Sequence, residues 1–131
     1  MSDILVPVSP GELCDKLTIL SIKAARISDA AKLANVRLEL QLLGAIWRDS
    51  GCEARCAPAD VQALQQVNQR LWDIEDRIRD KEAAASFDAE FIALARAVYI
   101  ANDERAAIKR RINLALGSRI VEEKAYRPYA G

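Results

Sequence analysis

Towards the C-terminal end of the chain, Asn102, Arg105 and Lys109 stand about one helical turn apart in the run NDERAAIK. A guanidinium offers a planar fork of donors and an ammonium a compact point charge. Together they suit a phosphate or carboxylate, with the Asn102 amide fixing its orientation. Arg105 falls on a line of apolar residues, Phe91, Leu94, Val98, Ala101, Ile108, Ile112 and Ala115, that recur at three- and four-residue steps. A cation on such a line costs free energy unless a carboxylate or a ligand anion meets it. Two readings stand side by side: an anion site, or an ion pair with a carboxylate such as Glu75 that only fixes helix register. Lys16, Lys23 and Arg26 share one face of an earlier helical stretch. They join the same pocket if the two helices are neighbours, where Arg and Lys electrostatics can act without histidine; otherwise they form a solvated face.

A second cluster is acidic. Glu75 and Asp76, in WDIEDRIRDKE, would supply oxygen ligands for Mg²⁺ if they stood across from Asp103 and Glu104. A substrate phosphate would complete the shell, as in a phosphoester or nucleotide hydrolase. The paired ExxE and ExxD runs of all-helical nucleotide pyrophosphohydrolases are absent, however. Asp73 with Arg77 and Glu75 with Arg79 have the i, i+4 spacing of an exposed salt-bridge lattice. Cys52, Cys56 and Cys14 make no zinc framework in a chain without histidine. That same lack removes the commonest general base. No cofactor is expected apart from Mg²⁺ under the hydrolase reading.

The elements that must position these groups are helices. Ser9, Pro10 and Glu12 supply N-cap, first-turn proline and capping-box glutamate for a helix running to about Ile27. Its buried seam is Leu13, Leu17, Leu20, Ala24 and Ile27, flanked by a stripe of small residues, Cys14, Thr18, Ser21 and Ala25. A second helix is expected from Ser28-Asp29 to about Asp49, with Leu33, Val36, Leu40, Leu43 and Trp47 inward and Leu38, Leu42 and Ile46 widening that face. Asp49 to Pro58 has loop composition. Pro58 opens a third helix to about Ala84 that carries Val61, Leu64, Val67, Leu71, Ile74 and Ile78 inward. The fourth starts at Asp88, with Phe87 and Ile92 as its hydrophobic staple, and ends at Leu116 before Gly117. Two extended arms remain, Ile4 to Val8 and Arg119 to Tyr126, which could pair beside the bundle; alternatively the glycine turn lets Glu122 to Tyr126 fold back over the bundle, with Tyr126 as an anchor. The expected fold is an all-α, four-helix bundle-like single domain over residues 1–131.

Composition bounds the rest. At 131 residues the chain is long enough for one core, and 19 Lys plus Arg balance 19 Asp plus Glu. No global field draws it to nucleic acid or membrane. No signal-peptide pattern or long apolar run appears, so a cytoplasmic location is expected.

Four stretches together resemble a known family: SPGELCDKLTILSIK (Ser9 to Lys23), NQRLWDIEDRIR (Asn68 to Arg79), FDAEFIALARAVYIANDERAAIKRRIN (Phe87 to Asn113) and GSRIVEEKAY (Gly117 to Tyr126). The chain is similar in them to a family of uncharacterised bacterial helical proteins, catalogued as a domain of unknown function. The resemblance implies an all-helical protein of bacterial or phage origin in a glycosyltransferase or surface-polysaccharide setting, and it brings no catalytic residues. Ala125 stands where the family tail reads EEKSY, so no role for that hydroxyl carries over. The leading expectation is a protein that binds an anionic small molecule, a phosphorylated sugar or nucleotide, through Arg105, Lys109 and Asn102 with Lys16 and Lys23. A non-catalytic interaction module or homo-oligomer, using Trp47, Trp72 and the small-residue stripe, is the alternative. The Mg²⁺-dependent hydrolase comes third.

Overall fold

The computed structural model describes residues 2–129 and is all-helical, with no strand among them. α1 spans Pro10–Arg26, α2 Ala30–Asp49, α4 Pro58–Ala83 and α5 Ala89–Ala115. The segment of loop composition holds a single helical turn, α3, at Cys52–Arg55. The Ser9 side chain caps α1, accepting from the Glu12 N–H at 3.1 Å. Only this half of the capping box forms, because the Glu12 carboxylate goes instead to Lys109 of α5. Asp88 caps α5 through the Phe91 N–H at 3.0 Å. Phe87 packs edge-on against Phe91, ring centroids 5.2 Å apart, while Ile92 points to solvent, so the staple uses Phe91 rather than Ile92.

α1, α4 and α5 pack on one another. α4 and α5 run antiparallel, stitched by Asp60–Arg111, Arg70–Glu104 and Arg77–Glu90. Their contact is dry in the middle: Leu64, Val67 and Ile112 are fully buried, with Leu13, Cys14, Leu71, Ala101 and Ile108 around them. Gly11 lets α1 approach α5 closely. A Cβ there would lie 2.5 Å from the Lys109 carbonyl oxygen.

α2 departs from its expected role. It packs along α1, and only its C-terminal end, Leu43 and Trp47, reaches the main core together with Cys52 and Cys56. Leu38, Leu42 and Ile46, expected to widen the buried face, are 57%, 50% and 51% exposed. The terminal arms do not pair. Ile4, Leu5 and Val6 are exposed, and Pro7 has no N–H to give to a ladder. The tail after Gly117 follows the other expectation and folds back along α5, held there by side-chain ion pairs.

Candidate functional site

Three helices contribute one polar stripe each, and the stripes meet. On α5, Asn102, Arg105, Lys109 and Asn113 follow three- and four-residue steps and so share a face. α1 brings Glu12, Asp15 and Thr18, and α4 brings Asn68. Asn68 is the hub. Its Nδ2 donates to Asp15 Oδ1 and to Thr18 Oγ1, both at 2.9 Å, which uses both amide hydrogens and turns Oδ1 towards α5. Asn113 lies 1% exposed at the end of the stripe, and its Oδ1 accepts from the Gly11 N–H at 2.7 Å.

The two cations expected to act together have different surroundings. Lys109 Nζ is 2.7 Å from Glu12, 3.1 Å from Glu122 and 3.9 Å from Asp15. Burial disfavours its charge, but the hydrogen bonds it donates to Glu12 and Glu122 and the charges of Glu12 and Asp15 prevail and hold its pKa above the ordinary lysine value. Lys109 therefore ties α1 and the tail to α5 and has little left for a guest. Arg105 is half-buried and no carboxylate stands within ion-pair distance of it among the described residues. Its Nη2 donates to Asn102 Oδ1 at 2.9 Å and its Nη1 to Asn68 Oδ1 at 3.4 Å. Both acceptors are neutral, so the fork is oriented without being neutralised. Glu75, the expected register partner, pairs with Arg79 at 3.7 Å.

Two clefts open on Arg105. The first, about 460 Å³, lies between Ile19 of α1, the α4 face carrying Asn68, Leu71, Trp72, Glu75, Asp76 and Arg79, and Asn102 with Arg105. Arg26 covers one side of the Trp72 ring, 5.8 Å from its centroid. The second, about 620 Å³, runs along α5 from Asn102 and Arg105 to Asn113 under the tail residues Glu122 to Tyr126. Glu122 and Glu123 hold the tail to Lys109 and Arg110, and Lys124 bonds Asp103. Tyr126, expected to anchor the tail, is 85% exposed; the carboxylates do the anchoring.

Lys16 and Lys23 line neither cleft. They follow Glu12 and Ile19 by one helical turn, but Lys16 is exposed and Lys23 half-buried, and neither side chain reaches the Arg105 site. The four carboxylates of the Mg²⁺ reading do not converge either. Asp103 is taken by Lys124 and Glu104 by Arg70, while Glu75 and Asp76 face the first cleft. Among the described residues no group of three or more Cys, Asp or Glu is placed to hold a metal ion. The expected i, i+4 pair of Asp73 with Arg77 is replaced by cross-helix pairs, Asp73 with Arg26 and Arg77 with Glu90. Asn68 and Asn113 are the site residues that sequence reasoning missed as such, since a buried Asn on a helix has the same local signature as an exposed one.

The model of a family of unknown function, DUF6165, matches residues 4–130. The chain belongs to that family. No curated protein and no solved structure matches this DUF6165 member. The family match agrees with the resemblance carried by the four sequence stretches, and the all-helical fold is the one that resemblance implied. None of the described helices is long and apolar enough to cross a membrane.

Proposed function

We propose that this protein binds an anionic small molecule, with Arg105 as the primary contact and Asn102 and Asn68 as the groups that hold its guanidinium in place. The observation that carries this reading is a half-buried arginine oriented by two neutral amides and met by no carboxylate among the described residues, beside a 460 Å³ cleft with an aromatic wall. A cation kept partly out of water without a counter-charge gains from an anion that enters, and a guanidinium fork favours phosphate or carboxylate. Phosphorylated sugars and nucleotides are the first classes to test, the former because the family resemblance implies a surface-polysaccharide setting. Lys109 takes a supporting role, fixing α1 and the tail around the site. In a thermal-shift screen against sugar phosphates and nucleotides, at least one class raises the melting temperature of the wild type and leaves Arg105→Ala unmoved. A flat response across the panel would overturn the reading.

A second reading has its own observation. Leu38, Leu42 and Ile46 form an i, i+4, i+8 ridge on α2 that stands exposed among the described residues, and Ile4, Leu5 and Val6 stand exposed nearby in sequence to α1. Self-association through such surfaces is compatible with ligand binding. Of the contacts first expected, Trp47, Cys14 and Thr18 are buried inside the chain, whereas Ser21 and Ala25 are exposed and Trp72 lines the first cleft. Light scattering over a range of concentrations decides it: a constant monomer mass would remove this reading.

A further inference from the structure

The two clefts share Asn102 and Arg105 and lead away from Arg105 in different directions. One follows α4 from Asn68 to Arg79, roughly 16 Å of helix, and the other follows α5 from Arg105 to Asn113, roughly 12 Å. Their charges are as informative as their shapes. In the first cleft Arg79 has Glu75 beside it, and Asp76 adds a carboxylate with no ion pair among the described residues. In the second, Lys109 and Arg110 are held by Glu122 and Glu123, and Lys124 by Asp103. Arg105, at the junction, is the lining cation that no carboxylate meets among the described residues.

A carboxylate or a phosphate monoester ends a molecule, so on Arg105 it would fill one cleft and leave the other empty. A monoester also brings between about 1.5 and 2 negative charges at neutral pH, more than one guanidinium balances. A phosphodiester carries one negative charge in its middle, with an organic group on either side. That pattern matches one unneutralised cation between two clefts that hold no second unpaired cation, the first of which carries the extra carboxylate of Asp76 and so disfavours a dianion further.

Resting on the anion reading above, we infer that the ligand is a phosphodiester whose anionic centre sits on Arg105 and whose two substituents lie in the two clefts. The flatter substituent, a base or a sugar-ring face, lies against the Trp72 wall. The more hydroxylated one lies beneath the tail, where the carboxylates of Glu122 and Glu123 accept hydrogen bonds from hydroxyl groups.

The test is a calorimetric comparison of matched pairs on the full chain. Adenylyl-3′,5′-adenosine is set against adenosine monophosphate, and glycerophosphoinositol against inositol phosphate. At least one diester binds about tenfold or more tightly than its monoester although it carries less charge; which pair responds tells a nucleoside from a polyol ligand. Trp72→Ala, which removes the aromatic wall, and Ala125→Trp, which fills the tail cleft from an exposed position, each lower that diester's affinity about tenfold, the order of one lost stacking contact. Arg105→Gln removes binding of both ester classes. Monoesters that bind as tightly as their diesters would overturn this inference and leave the anion reading standing. If neither class binds, the anion reading itself falls and this one with it.

Discussion

α5 carries two cations one turn apart and treats them oppositely. Lys109 is surrounded by carboxylates from α1 and the tail, with 13% of its side chain exposed, whereas among the described residues Arg105 is held by the amide oxygens of Asn68 and Asn102 alone. Charge, spacing and helix are the same for both. The difference comes from what the neighbouring elements bring: Glu12 and Asp15 reach Lys109 from the first turns of α1, but one and two turns further along α1 offers Arg105 only Thr18, through Asn68, and the apolar Ile19. A cation whose pairing is complete serves packing, and one left with neutral partners keeps its field for a guest.

Removing the paired cation gives the largest expected effect. Lys109→Met leaves the Glu12, Asp15 and Glu122 carboxylates facing one another in a half-buried place and costs about 3 kcal/mol in urea unfolding, the scale for breaking one side of a buried pair. The same group sets an alkaline limit. Because its folded pKa lies above the unfolded lysine value of 10.5, its stabilisation is present in full below that pH and is lost as pH rises through the raised value. A wild-type stability profile that falls more steeply above pH 10.5 than that of Lys109→Met checks this, and parallel profiles would count against it.

Next comes Gly11→Ala. The added Cβ meets the backbone carbonyl of Lys109 and the Asn113 amide, neither of which can swing away, so α1 and α5 must separate at a cost of about 2 kcal/mol. A loss below about 0.5 kcal/mol in the same assay would show that the helices have room to spare there. Arg105→Gln sharpens the comparison from the other side. It removes no ion pair and releases two amide oxygens on the edge of a cleft, so stability changes by about 1 kcal/mol or less while ligand response disappears.

The smallest effect lies at the α4–α5 corner and works in the stabilising direction. Both α4 and α5 close with the same pair of backbone bonds, Ser86 to Lys81 with Ala85 to Glu82, and Ser118 to Asn113 with Gly117 to Leu114. At α5 the left-handed position holds Gly117, but at α4 it holds Ala85, with φ 51°. Ala85→Gly relieves that strain, and a midpoint rise equivalent to about 0.5–1 kcal/mol is expected.

Much of the fold was legible because helix ends are written locally. Ser9, Asp88, Pro58 and Gly117 each mark a boundary by their own chemistry, and α1, α4 and α5 begin, and α5 ends, where those marks fall. α2 was misread for a physical reason. Leu38, Leu42 and Ile46 have the spacing of a buried stripe, yet burial requires a partner, and the spacing does not say that the chain provides none. The site divides in the same way. That Arg105 sits at a junction between apolar and polar surroundings could be read from its place on the α5 seam. That Lys109 is consumed by Glu12, 97 residues earlier, and that Asn68 reaches across to turn Arg105, are long-range facts that no local pattern contains.

The most direct test observes the two cations themselves. Side-chain Nε–H resonances of arginine and Nζ resonances of lysine, assigned with the Arg105→Gln and Lys109→Met proteins, are followed while inorganic phosphate is titrated in. The account predicts a saturable shift at Arg105 with Lys109 nearly still. A silent Arg105, or shifts no larger there than at the exposed Arg48 and Arg119, would contradict it.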